Sequence, residues 1–446
     1  MSSTRIFRGT PAAEEARRTH EASLAAPRKP QTLTADDLRQ LCLDAGVADV
    51  GFVEVEREAL GQETANAKRL FSRVRTLISF VTVSNAEAIR SESRAVANLA
   101  WHQNHQSVHE ISEDIVNRLT ALGVGAIATA VGFPMESRPH EPGATPWEIA
   151  HKVVAVEAGM GHMGVNRNVI HPKFGNFVLL ETVLIDAELD AYNKPLDYNP
   201  CNGCNLCVVA CPVGAVRAND DFDFFACLNH NYREFLTGFE DWVSTIAAAH
   251  DAAAYKSKFP YEESRSMWQS LGFGPNYKAA YCMAVCPAGD DVIGAYMHDR
   301  VAWRRDVLEP LKTKQESVYV TSGSRAERVA MRNPAKRIRY IDYQVDVSSP
   351  SNFALGLRHR FDATRAVGVA CAVRFEYPDG ETHLVTVHDG KLSFDEDAPP
   401  DVVIELTSED YIRLLHPDPN PTESNSARYD LKGDAFALGA LLACLD

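Results

Sequence analysis

Residues 201–212, CNGCNLCVVACP, place four cysteines in the spacing C-x2-C-x2-C-x3-C-P. Three thiolates this close wrap one corner of an iron–sulfur cubane, and the fourth leaves on a short helix toward a second cluster. Thiolates are soft, strongly donating ligands, suited to iron–sulfur chemistry rather than to magnesium or calcium. A structural zinc site needs only four ligands and has no use for the trailing Cys-Pro. The chain has ten cysteines, seven of them between 201 and 286, while Cys42, Cys371 and Cys444 are scattered. A disulfide framework is normally short and cysteine-dense throughout, so this block reads as metal binding.

The second half of the block is less regular. Tyr281-Cys282-Met283-Ala284-Val285-Cys286-Pro287 repeats C-x3-C-P, so Cys286 is expected to complete the first cubane with Cys201, Cys204 and Cys207. A full motif would have a cysteine three residues before Cys282, where Ala279 stands. Cys211, Cys227 and Cys282 then form a second set one thiolate short, fitting a [3Fe-4S] cluster or a [4Fe-4S] cluster with a non-cysteine ligand. His230 is a candidate for that ligand, against the alternative of a hydrogen-bonded surface histidine.

The expected fold class is α/β (α+β), from alternating helix and strand patterns. Residues 1–32 read as a mobile arm. The core, 33–195, opens with a helix capped by Thr34, then strands near 47–55 and 75–83. A long helix from Trp101, a strand over 125–133, a loop over 134–146, a helix from Trp147 to Ala158 and a strand over 178–185 follow. Residues 196–300 hold the cysteine block, 301–349 form a basic linker, and 350–446 form a last α+β domain. In that domain three strands with Asp-Gly turns precede a strand and helix joined by a Thr407/Asp410 capping box, then a short polar strand and an apolar helix.

The charge balance, 45 basic against 60 acidic residues, gives −15 and argues against a binder of nucleic acid duplex. No apolar run reaches the ~18 residues that span a bilayer. Arg17-Arg18 is followed by no apolar stretch, so neither an export signal nor a transmembrane anchor is expected, and the expected location is cytoplasmic.

Residues 155–186, AVEAGMGHMGVNRNVIHPKFGNFVLLETVLID, stand about fifteen residues before the cysteine block. Together with that block, they resemble the epoxyqueuosine reductase and reductive dehalogenase superfamily across about 40–300. The resemblance implies a nitroreductase-like, cobalamin-binding core with a two-cluster ferredoxin-like insert. It implies electrons from a ferredoxin- or flavodoxin-type donor passing the Cys211 set, then the Cys201 set, to cobalt. The cofactor-binding residues it implies are Gly159, Met160, Gly161, His162, Met163, Gly164, Asn166, His171 and Gly175. Their glycines would let backbone lie close to a wide planar ligand. The family's Asp-Ser-x-Pro acid has no counterpart near Thr145-Pro146-Trp147-Glu148, which leaves Glu148 and His151 as candidate proton donors. His102, His105 and His109 are read as sharing no single helix face.

Residues 350–446 resemble the sterol carrier protein type 2-like domain, through HLVTVHDGKLSF, DVVIELTSEDYIRLL and DLKGDAFALGALLACL. That implies an apolar tunnel or an assembly role, with a homodimer as the expected form. The combined expectation is a cobalamin-dependent iron–sulfur reductase of a small hydrophobic substrate, by dehalogenation or deoxygenation. The alternative is an electron-transfer or redox-sensing protein without cobalamin, carrying a lipid-binding C-terminal domain.

Overall fold

The computed structural model describes residues 14–15, 17–18, 32–135, 147–218, 222–322, 324–341, 357, 360–378, 380–394, 398–415 and 426–445. Most of the expected arm and most of the loop over 134–146 lie outside them.

Two short elements open the ordered chain, β1 (Thr32–Leu33) and α1 (Ala35–Ala45). The Thr34 hydroxyl accepts the Asp37 N–H at 3.1 Å, the expected N-cap, worth about 1 kcal/mol. Next come β2 (Asp49–Glu54), α2 (Gln62–Leu70), β3 (Thr76–Val83), α3 (Ala86–Arg90) and α4 (Arg94–Ala121). The long helix thus begins at Arg94 rather than Trp101. Its first turns bury Ala97 and Asn98 rather than large apolar side chains, which hides their inward face from a periodicity reading. β4 (Ala126–Ala128), α5 (His151–Glu157), β5 (His162–Met163), β6 (Val169–Ile170), β7 (Val178–Ile185) and β8 (Glu188–Leu189) complete this part. Both the strand expected over 125–133 and the helix expected over 147–158 are shorter than anticipated.

The central sheet has the order β2-β3-β7-β4 with every pairing antiparallel. One face is covered by α1 and α4 through Leu38, Val108 and Ile115 packed on Phe52, Phe80 and Val183. The other is covered by α2 and α5 through Ala67 and Val154 packed on Leu77 and Leu184. A strand buried on both faces needs no alternation, which is how β3 reads.

The cysteine block is helical. It contains α6 (Leu206–Ala210), α7 (Phe224–Asn231), α8 (Thr237–Ala248), α9 (Ala252–Lys258), α10 (Tyr261–Phe273), α11 (Tyr281–Ala284) and α12 (Asp290–His298). The linker expected over 301–349 is corrected by its described part. α13 (Arg300–Trp303), α14 (Glu309–Thr313), β9 (Glu316–Val320), α15 (Arg325–Ala330) and β10 (Lys336–Tyr340) are regular elements. β9 and β10 pair in parallel, and their apolar side chains pack on Val213, Ala215, Cys211 and Cys227. The basic residues that suggested solvated chain are partly structural. Lys336 is buried, and its Nζ donates to the carbonyls of Leu311 and Lys314 and to Glu316 at 2.6 Å.

The C-terminal part holds β11 (Cys371–Glu376), β12 (Thr382–His388), β13 (Lys391–Ser393), β14 (Val402–Leu406), α16 (Ser408–Leu415), β15 (Tyr429–Gly433) and α17 (Ala435–Ala443). Its sheet runs β13-β12-β11-β14-β15, with β11 and β14 parallel. The capping box forms, with the Asp410 N–H donating to the Thr407 hydroxyl at 3.1 Å. Among the described residues, no helix is long and apolar enough to cross a membrane.

Candidate metal centre

Seven thiols meet where α6, α7 and α11 come together, and all ten cysteines of the chain are free of disulfides. Their mutual electrostatics sort them. Burial, then Cys286, Cys204 and Cys201, push the Cys207 thiol up to about 12. Burial also raises Cys286 to about 12, with Cys204 and Cys201 adding to it. Burial and Cys211 raise Cys227 to about 12. Burial, then Cys227, Cys211 and Cys207, raise Cys282 well above the usual thiol range. Cys201, Cys204 and Cys286 thus act on Cys207, and Cys211 and Cys227 act on Cys282, which Cys207 also reaches. Thiols so crowded hold their protons until a cation replaces them, as metal binding does.

The donor set fits iron–sulfur clusters. Among the described residues, no three His, Cys, Asp or Glu side chains converge as a single ion requires. A cubane carries its thiolates on separate irons, so they stand apart around it. Backbone and amide donors face the sulfurs. The Ala215 N–H donates to Cys211 Sγ at 3.2 Å, and the Asn176 side chain hydrogen-bonds to Cys286. Asn166 and Asn176 also donate to the Cys282 carbonyl, at 3.2 and 3.4 Å. Cys204 is exposed, whereas the other six are partly buried. Cys42, Cys371 and Cys444 lie in hydrophobic cores away from both sets.

Several neighbours of the second set carry no sequence signature. Cys227 and Cys282 both sense the charge of Lys152 on α5, whose Nζ donates to the Arg167 carbonyl at 2.7 Å. Burial, then Tyr277, Cys227 and Cys282, raise the Tyr232 phenol well above its usual range. Tyr232 belongs to an aromatic wall, with ring centroids 5.3 Å from Tyr277 and 5.8 Å from Phe235. That wall continues through Phe133, 5.1 Å from Phe235. Only the fold brings Phe133 and Tyr277 to the neighbouring rings of Tyr232 and Phe235.

His230 is buried rather than at the surface, which corrects the surface alternative. Its Nδ1 accepts the Tyr319 N–H at 3.4 Å, leaving Nε2 buried and without a partner among the described residues. Burial, with Lys278, Lys336 and Arg233 adding to it, lowers its pKa to about 3, so the ring is neutral.

The glycine-rich loop is used differently from the expected cofactor bed. A Cβ on Gly161 would overlap the Ile170 carbonyl oxygen, and one on Gly175 the Ala288 carbonyl oxygen. At Gly159 it would come within 2.7 Å of the Lys194 carbonyl oxygen, and at Gly164 within 2.9 Å of Asn166 Oδ1. The room these residues leave is taken by the chain itself. Met160 is buried in the sheet core. His171 is buried, with Nε2 3.0 Å from Asp49 and Nδ1 accepting the Lys173 N–H at 3.1 Å. Burial alone would raise the Asp49 carboxyl, but His171, the Val50 N–H and Arg39 hold it below its usual value. His162, Met163 and Gly164 do face open space, a cavity of about 390 Å³ shared with Arg167, Asn199 and Cys201. A corrin disc therefore does not fit the nine-residue bed as a whole.

Of the two candidate acids, His151 is fully engaged. Its Nε2 lies 2.8 Å from the Ala130 carbonyl, which can only accept, and its Nδ1 lies 2.9 Å from the Thr182 hydroxyl. Burial lowers its pKa to about 4, so at neutral pH the ring is neutral and its one N–H is held by the Ala130 carbonyl. Glu148 is half-buried, three residues before the start of α5. The carboxyl missed by sequence reading is Glu181 on β7, fully buried, with Oε1 accepting from the Thr129 hydroxyl and the Thr182 N–H. Burial outweighs these hydrogen bonds and raises it to about 8, so it keeps its proton at neutral pH. A lone Glu in an apolar run gives no signal beyond its misfit with the pattern. His102, His105 and His109 are corrected too. Their spacing of three and four puts them on one face of α4, and His105, lowered to about 4 by burial, senses both His109 and His102.

Residues 194–217 match the family described as 4Fe-4S binding domain. An epoxyqueuosine reductase from Leadbetterella byssophila is 27% identical over 117 residues, 24% of this chain and 38% of the relative. One from Cyclobacterium marinum is 34% identical over 135 residues, 26% of this chain and 43% of the relative. The chain thus spans less than half the length of these curated relatives. By their names, both relatives are oxidoreductases. An epoxyqueuosine reductase solved with a modified tRNA stem loop aligns at TM-score 0.31 and 16% identity, covering 44% of this chain and 58% of that one. A catabolic reductive dehalogenase aligns at TM-score 0.39 and 15% identity, covering 70% of this chain and 38% of that one.

Proposed function

We propose that this chain is an iron–sulfur oxidoreductase acting on a small hydrophobic substrate. What supports the reading is the crowding of thiols in one centre, where Cys286 acts on Cys207, Cys211 on Cys227, and both Cys227 and Cys211 on Cys282. Clusters held there would supply one-electron chemistry. Cys201, Cys204, Cys207 and Cys286 would hold one, and Cys211, Cys227 and Cys282 the other.

The chain's own residues give the centre a direction. Cys204 is the exposed thiol, so a ferredoxin- or flavodoxin-type donor would dock at that edge. This reverses the order of the two sets implied by the resemblance. The second set lies beside Lys152 and the aromatic wall of Tyr232, Phe235 and Phe133, which offers apolar surface to a substrate. Glu181 holds a proton at neutral pH in the same sheet that carries His151 through Thr182. The net charge of −15 favours a small molecule over tRNA.

Of the residues that the resemblance assigns to cobalamin, His162, Met163 and Gly164 line the cavity, and they alone would meet the cofactor there. The C-terminal sheet would shape or deliver the substrate in a homodimer. Anaerobic isolation with and without added cobalamin, followed by iron, sulfide and corrin analysis, tests the reading. The expected result is about seven or eight irons per chain. A protein without iron would refute the proposal. Retained corrin would restore the expected cofactor bed, while clusters without reduction of any hydrophobic acceptor would favour a pure electron carrier.

A further inference from the structure

The first set has an unexplained neighbour. Arg90 closes α3 in the sheet-bearing part of the chain, and its side chain reaches into the walls of the cysteine centre. The guanidinium lies 4.8 Å from the ring centroids of both Phe177 and Trp303. Those rings belong to the same hydrophobic cluster as Leu206, Ala284 and Cys207. Its Nε donates to the Ala284 carbonyl at 3.4 Å, two residues before Cys286. Its Nη1 pairs at 3.1 Å with Glu87, whose side chain is 87% exposed, so that pairing is screened by water. Its Nη2 is buried and has no partner among the described residues. A buried charged donor left unmade is costly, and native structures rarely tolerate one without a reason. The Cys286 charge is felt at Arg90.

We infer that the buried Nη2 of Arg90 is aimed at the cluster held by Cys201, Cys204, Cys207 and Cys286, and raises its reduction potential. This rests on the cluster-binding reading above. One-electron reduction adds one negative charge to the cluster, and a fixed cation with a free N–H stabilises the reduced form more than the oxidised one. The two aromatic faces hold the guanidinium in place and exclude water, which preserves its field.

The test is a dithionite titration of the full-length, cluster-loaded protein with mediators, following each cluster by electron paramagnetic resonance. In Arg90→Gln, the ratio of reduced to oxidised first cluster at a fixed potential should fall about tenfold, which is 59 mV for one electron. The second cluster should not move. Arg90→Lys keeps the charge but loses the fork, and should lower the same ratio about threefold in the first cluster alone. Should Arg90→Gln fail to fold, Arg90→Lys decides. Unmoved first-cluster potentials in the folded variants, or equal shifts in both clusters, would overturn the inference while leaving the cluster-binding reading intact. A wild-type protein with no cluster signal would overturn both.

Discussion

The first set of thiols has four members, an exposed edge at Cys204 and a guanidinium on its flank; the second has three members, none exposed, and the ammonium of Lys152. Both cations come from the sheet-bearing part of the chain, on α3 and α5, while every thiol comes from the helical block. A binding motif on its own fixes which residues can hold a cluster. The potential and the direction of electron flow are set by groups that the motif does not contain. The contrast can be broken experimentally in four ways.

The largest effect belongs to the ligands. Cys286→Ser should erase the first cluster's paramagnetic signal and remove about four irons per chain, leaving the second signal in place. Cys282→Ser should do the reverse. The wild-type second cluster should show either three irons or an unusual fourth ligand. Two spectroscopically ordinary, all-cysteine clusters would break the contrast, because the three remaining cysteines are held in hydrophobic cores.

A smaller effect separates the flanking charges. In Lys152→Gln, the reduced fraction of the second cluster at a fixed potential should fall severalfold, with the first cluster unmoved. Equal shifts in both would mean that Lys152 acts through the general field of the protein rather than through Cys227 and Cys282.

What was legible in the sequence follows the same divide. Local chemistry was readable: the cap at Thr34, the doubly buried β3 and the cap at Thr407 all rest on short-range patterns. Groups that act across the fold were not. Arg90 and Ala284 are 194 residues apart in the chain, and nothing in AEAIR distinguishes a buried arginine from a solvated one. The glycines at 159 and 161 were visible as close-approach positions, but spacing could not say that the approaching group is the chain's own backbone. The basic stretch after 312 failed for a related reason, since a lysine bonded to buried carbonyls has the same letter as one in water.

The third effect concerns the sheet between the helices that carry the two cations. Glu181 titrates near 8 in the folded chain and near the ordinary 4.3 when unfolded. Between those values the folded state binds the extra proton, so stability falls as pH rises from about 4.3 to about 8, then levels off. Glu181→Gln removes this slope. Thermal unfolding should find the variant close to wild type at pH 5, and more stable at pH 9 by on the order of a few kcal/mol. His151 works in the opposite sense. Its folded pKa near 4 lies below the ordinary 6.5, so its contribution is lost as pH falls between those values. A wild-type protein equally stable at pH 5 and 9, with a variant that tracks it, would show that Glu181 is not a protonated carboxyl.

The smallest effect is expected from the largest deletion. The C-terminal core is built from Leu357, Phe375, Tyr411, Leu441 and neighbours, and every residue of that cluster lies between 357 and 445. Its sheet shares no strand with the central sheet or with the β9-β10 pair. A unit whose buried core, among the described residues, draws on no residue before 357 contributes little to the packing around the thiols. Ending the chain at 349 should therefore leave iron content and both midpoint potentials unchanged. Two further readouts then assign the domain its part. A smaller particle in solution with unaltered turnover would make it an assembly unit, whereas an unaltered particle with weakened affinity for a hydrophobic substrate would make it a carrier. A shift in either cluster's potential would contradict the independence argued from its core, and would place C-terminal residues against one of the two sets.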